Sequence, residues 1–226
     1  KRQILSILIV LTIVLTSFCA TGFATEERAA LPTLTVDMKN EQHNIIHGAA
    51  GFLYGISNEG VPDVNTLTPL KPKVLATKGA LGTEHPYGDA LDVAEEFFEA
   101  GGEQVQMYNS NYYGVFGVTA DAYDYADVLK NIICPEVVAW KEKIRDRFPD
   151  IDKMLQYIPI NESTPIKVSG SKNYNEAWKI YYKAIKEADP NATVVGPNHA
   201  YDPSYNEMLG FLNFCKTNDC LPDVIT

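Results

Sequence analysis

The run Met154-Leu155-Gln156-Tyr157-Ile158-Pro159-Ile160-Asn161-Glu162 is an apolar segment that ends on an amide and a carboxylic acid. A strand buried on both faces reads as just such a short apolar run, and polar groups at its end arrive at the carboxyl edge of a parallel sheet. A carboxyl held there can give and take a proton, which makes Glu162 the candidate catalytic residue. The amide before it both donates and accepts hydrogen bonds, so Asn161 suits a ligand hydroxyl that does the same. Two plainer readings compete. Glu162 could merely start a loop, and Asn161-Glu162-Ser163 also spells a glycosylation acceptor, as does Asn191-Ala192-Thr193.

The surrounding elements favour the chemical reading. Between Asn173 and Asp189, residues Ala177, Ile180, Tyr181, Ala184, Ile185 and Ala188 fall at helical spacing, and Pro190 stops the helix. Ala192-Thr193-Val194-Val195-Gly196-Pro197 then resumes as a short β-rich run. Strand, helix, strand in that order predicts a parallel pair with a right-handed crossover.

Taken together, strand-Asn161-Glu162, a helix carrying Tyr174, Trp178, Tyr181, Ala184-Ile185-Lys186 and Asp189-Pro190, and then Val194-Val195-Gly196-Pro197 resemble the central part of the clan A retaining glycoside hydrolases, most like family 39 and its relatives. The resemblance implies a (β/α)8 TIM barrel. It makes Glu162 the general acid/base, sets Asn161 against the sugar 2-hydroxyl, and places the nucleophile on a second Glu at the end of strand seven. Retention needs those two carboxyls about 5 to 5.5 Å apart. The family triplet is Asn-Glu-Pro, and Ser163 here replaces the proline. No metal or other cofactor is implied.

Elsewhere the chain continues the alternation. Gly51 to Ser57 reads as strand one, Lys73 to Thr77 as strand two after a short helical turn, and Val105 to Asn109 as strand three. Asp89 caps a helix over Ala90–Ala100, stopped by Gly101-Gly102. Tyr125 to Phe148 predicts one or two helices broken near Pro135. His85, Asn109 and His199 fall at or just after the catalytic ends of strands, where a sugar hydroxyl would find partners, so they are further candidate substrate contacts. Tyr54, Tyr108, Tyr112 and Tyr113 could stack on sugar faces, with core packing the better reading for Tyr54 and Tyr108. Trp140 and Trp178, on helices, read as structural.

At the N-terminus, Lys1-Arg2, the apolar stretch Ile4–Phe18 and the small residues up to Ala24 have the order of a secretory signal peptide, with a membrane anchor as runner-up. The expected organisation is therefore a leader over 1–24, a polar lead-in over 25–44 and a partial barrel over 45–226. The expected protein is secreted or cell-surface and free of the membrane once cleaved. Counting roughly 30 residues per strand-helix unit, the chain reaches only a sixth strand at Leu221–Thr226, so the expected fold is an incomplete barrel of about five to six units. Residues 25–226 alone are expected to be inactive.

The formal charge of −10 deepens on removal of the leader, which carries two positive charges. Such a chain has no basic patch with which to displace counterions from a phosphate backbone, so nucleic acid is excluded as a partner and a neutral carbohydrate substrate is favoured. Of the four cysteines Cys19 goes with the leader, and Cys134, Cys215 and Cys220 remain as an odd set; Cys215 and Cys220 could bridge, or remain thiols. No Cys/His spacing suits zinc. Two other classes stay open. One is a non-catalytic carbohydrate-binding or cell-surface relative on the same barrel. The other is a doubly wound α/β protein, disfavoured because neither Gly-x-Gly-x-x-Gly nor Gly-x-Ser-x-Gly occurs.

Overall fold

A computed structural model describes residues 50–226 except 59, 86, 115–120, 163–166, 169 and 170, together with 35, 37 and 39. The leader and nearly all of the lead-in therefore lie outside the described residues. Lys1–Ile45 and Ile46–Thr226 separate as two units, and the second carries the fold.

Among the described residues one six-stranded sheet contains β1 (Gly51–Leu53), β2 (Val74–Lys78), β3 (Gln104–Tyr108), β4 (Leu155–Ile158), β5 (Thr193–Gly196) and β6 (Val224–Ile225). The strands lie side by side in chain order and every pairing is parallel. That order decides between the two α/β architectures. A doubly wound sheet reverses its strand order at a switch point, whereas a singly wound one adds each strand on the same side and curls into a barrel. This is an incomplete (β/α)8 barrel, as the sequence predicts.

Helices supply the crossovers: α1 (Val64–Leu67), α2 (Ala90–Glu99), α3 (Ala122–Val128), α4 (Cys134–Ile144), α5 (Ile151–Met154), α6 (Tyr174–Ala188) and α7 (Tyr205–Thr217). Their caps follow from sequence chemistry. The Asp89 carboxylate accepts from the Leu91 N–H, the Asn173 amide oxygen from the Glu176 N–H, and Ser204 with Glu207 closes a full capping box. A short hairpin pairs Lys167–Val168 with Ser171–Lys172.

Pro135 does not break its helix, contrary to expectation. Leu129–Ile133 forms one π turn in which the Cys134 N–H reaches the Leu129 carbonyl, and α4 continues directly from it. The wider turn accommodates a residue that has no N–H to give, so a continuous helical path survives where a strict α register would clash.

Register fixes which side chains face the mouth. Leu75, Val105 and Leu155 share one face with Thr77, Met107, Tyr157 and Val194, and all are buried under the helices. On the other face Ala76, Gln106, Gln156 and Thr193 share a level, with the Gln106 amide donating to Gln156 Oε1 at 3.2 Å. Two residues further along each strand lie Lys78, Tyr108 and Ile158, which lead to the carboxyl ends.

Trp178 is fully buried on α6, and its indole N–H donates to the Cys220 carbonyl at 2.7 Å. Trp140 packs partly buried against the core. Both are structural, as their helical positions suggest.

Candidate functional site

β4 ends at Ile158, and the next residues turn outward over a firmly held backbone. The buried Tyr125 hydroxyl on α3 donates to the Pro159 carbonyl at 3.0 Å, and the Asn161 N–H donates to Ser110 Oγ, beyond β3, at 3.2 Å. Asn161 is only 6% exposed, and its Oδ1 accepts from Asn198 Nδ2, beyond β5, at 2.9 Å. A buried, bonded amide is a poor acceptor for a glycan, so the glycosylation reading of Asn161 loses its support. Glu162 follows with φ +55° and is exposed.

The left-handed backbone recurs at the ends of three strands: Tyr54 after β1 (φ +58°), Glu162 after β4 and Asn198 after β5 (φ +53°). Non-glycine residues in this region are uncommon and cluster at functional sites, because surrounding contacts must hold them there. The expected strand one stops at Leu53 for this reason. Tyr54 leaves the extended conformation, although its N–H still reaches the Ala76 carbonyl at 2.8 Å.

That turn builds a cluster which the sequence reading missed. The Tyr54 hydroxyl donates to Glu84 Oε2 at 3.3 Å, and the His85 ring meets Tyr54 edge-on with centroids 4.8 Å apart. His85 Nε2 lies 3.6 Å from Glu84 Oε1, and Tyr108 packs edge-on to Tyr54 at 6.0 Å. Beneath them the buried Lys78 ammonium donates to the His85 carbonyl at 2.8 Å. Burial first, then the Glu84 charge, pushes the Tyr54 phenol well up, with Glu162 adding a smaller push. Burial first and Glu162 second raise Tyr108. Tyr54 and Tyr108 therefore belong to the mouth rather than to the core, and the field of Glu162 reaches both. A cleft of about 460 Å3 opens beside them, lined by Tyr54, Ile56, Val61, Thr77, His85 and Tyr87. Its volume falls within the range of small-ligand sites.

The other candidates divide. Asn109 is fully buried in the turn after β3, and both atoms of its amide lack partners, so its side chain is not presented at the surface of the mouth. His199 sits in an aromatic group, stacked on Tyr201 at 5.1 Å and tilted against Tyr174 at 4.7 Å. Its burial lowers the imidazole pKa, while Glu207 pulls the other way. Tyr112 and Tyr113 pack edge-on to each other at 5.2 Å, and Tyr113 continues to the buried Tyr125. Among the described residues no group of three or more His, Cys, Asp or Glu could hold a metal ion, and no helix is long and apolar enough to cross a membrane.

No protein-family profile matches the chain. It is 34% identical over 249 aligned positions to a 3-O-beta-L-arabinopyranosyl-alpha-L-arabinofuranosidase from Bifidobacterium pseudocatenulatum, covering 86% of this chain and 24% of that protein. Over most of its length, then, the chain is similar to part of a protein named as a glycosidase. It is also 35% identical over 88 residues to a 3-O-alpha-D-galactosyl-alpha-L-arabinofuranosidase from Bifidobacterium longum subsp. longum, covering 39% of this chain and 8% of the relative. Among solved structures it resembles N2152 from Neocallimastix frontalis, with TM-score 0.57, 25% identity, and coverage of 78% of this chain and 42% of the other. The chain thus spans about a quarter of the length of the first of those curated proteins. Both curated relatives are named as glycosidases, in keeping with the likeness to glycoside hydrolases expected from the sequence.

Proposed function

We propose that this chain forms part of the catalytic mouth of a secreted, retaining glycosidase, with Glu162 as general acid/base. The observation that carries the reading is the paired presentation of Asn161 and Glu162. Asn161 is held through its backbone N–H to Ser110 beyond β3 and through its side-chain oxygen to Asn198 beyond β5, and the Glu162 carboxyl is exposed beside it.

In this mechanism Glu162 protonates the departing glycosidic oxygen and then, as base, takes a proton from the attacking water. Asn161 keeps its N–H2 side for the sugar 2-hydroxyl while its oxygen is held by Asn198. The nucleophile is the second Glu implied for strand seven, outside these 226 residues. His85 and Tyr54, steadied by Glu84, border the cleft in which a sugar ring would lie. The names of both curated relatives share a 3-O-substituted α-L-arabinofuranosyl unit, so the proposed substrate class is an α-L-arabinofuranoside bearing a sugar at O3.

Glu162→Gln in the complete protein keeps the shape and removes the proton. Its kcat/KM on an alkyl α-L-arabinofuranoside bearing a sugar at O3 is expected to fall about 100- to 10,000-fold. The loss should be much smaller on an aryl glycoside, whose leaving group needs no proton. Equal activity of wild type and variant on the alkyl substrate would refute the assignment.

A further inference from the structure

The last turn of α7 brings two cysteines together by backbone geometry. Asp219 takes the left-handed conformation at φ +52°, and the Cys220 N–H donates back to the Cys215 carbonyl at 3.0 Å. This six-to-one bond defines a Schellman end, in which the side chain two residues past the cap packs onto the one in the last turn. Those positions usually hold two apolar residues. Here they hold Cys220 and Cys215, both fully buried, with their thiols in hydrogen-bonding contact. Cys134 belongs to a different neighbourhood, beside Tyr157 and Lys141.

One further feature distinguishes the pair from thiols enclosed on every side. A crevice of about 270 Å3 is lined by Tyr182, Cys215, Lys216, Asp219 and Leu221, so it includes Cys215 and both chain neighbours of Cys220. Burial raises the Cys220 thiol above its ordinary value, while the Cys215 thiol beside it, and then Lys183 and Lys179 on α6, pull the other way.

We infer that Cys215 and Cys220 are a disulfide-forming pair that clamps the end of α7 to the turn entering β6. The oxidant is a small-molecule disulfide such as oxidised glutathione. One cysteine thiolate attacks a sulfur of that disulfide and expels one glutathione thiolate, leaving a mixed disulfide. The second cysteine thiolate attacks the protein sulfur of that bond and expels the other. The two protons lost by the cysteines are taken up by the two departing thiolates, so two glutathiones are released for each bridge made. The Cys220 carbonyl is the acceptor for the Trp178 indole, so the clamp also steadies the contact between α6 and β6.

The test uses the complete chain incubated with oxidised glutathione and mapped by mass spectrometry under non-reducing conditions. The expected product is a single peptide bridged between Cys215 and Cys220, two hydrogens lighter than its reduced form, with Cys134 still alkylatable after unfolding. The oxidised chain should melt roughly 5 °C above the reduced one, the stabilisation a short closed loop gives. Cys215→Ala should lose both the bridged peptide and the redox dependence of Tm. Glutathione remaining on one cysteine, or a bridge that uses Cys134, would overturn the inference, as would thiols that stay free while the reduced and oxidised chains melt together.

Discussion

Lys141 offers a sharp test of what holds β4 in place. Its ammonium is 1% exposed and lies 2.7 Å from Asp189 Oδ2 and 3.3 Å from Asp152 Oδ1. Asp189 is 6% exposed on its side chain and also accepts from the Tyr157 hydroxyl of β4 at 2.9 Å. With an effective dielectric of about 20, the attraction across 2.7 Å is about 6 kcal/mol, and burial of the two ions offsets much of it. The sign of the mutational effect follows from what each change leaves behind. Lys141→Met keeps the buried stem but strands the Asp189 carboxylate without a cation, which costs about 3 to 5 kcal/mol. Asp152 is spared because Arg145 still grips it at 2.8 Å. Adding Asp189→Asn removes the stranded charge while leaving an oxygen for Tyr157, so the double variant should recover to within about 2 kcal/mol of wild type. Urea unfolding followed by tryptophan fluorescence reads both numbers. A single variant within 1 kcal/mol of wild type, on the order of a surface pair, would refute the reasoning. So would a double variant no more stable than the single.

Two other consequences are accessible to simple assays. A Cβ on Gly79 would sit 2.7 Å from the Tyr108 carbonyl oxygen and 2.9 Å from Asn109 Cα, both backbone, so Gly79→Ala should destabilise by about 1 to 3 kcal/mol in thermal unfolding; an unchanged Tm would count against the close approach of β2 and β3. Burial holds the His199 pKa below its ordinary 6.5, so the fold favours the neutral ring. Its contribution is complete above the unfolded value and is lost as pH falls through the folded one. His199→Gln should therefore flatten the decline of Tm between about pH 7 and pH 5, and a variant with the wild-type slope would assign that decline to other groups.

What the chain determined locally was its elements and their order. The helix expected between Asn173 and Asp189 is α6, Tyr174–Ala188, because its apolar spacing, its Asn173 cap and Pro190 all act within a few residues. Asp89 and the run after it likewise specify α2. The Asn161-Glu162 terminus of a barrel strand was legible because a buried parallel strand must be apolar until it emerges.

The tertiary structure decided what that strand end meets. Tyr54 and Glu84 are 30 residues apart and become partners only when β1 and β2 pair. Asn198 and Asn161 are 37 apart and need β4 against β5. No local signal marks Tyr54 or Glu162 for a left-handed backbone that propensity favours at glycine and, to a lesser degree, at an asparagine such as Asn198, so at those two positions surrounding contacts must hold the strain. Asn109 makes the same point in reverse. Position along the chain put it at a strand's catalytic end, but packing of the following turn enclosed its side chain, because sequence sets where a residue falls along an element and only the assembled neighbours set which way it can face water.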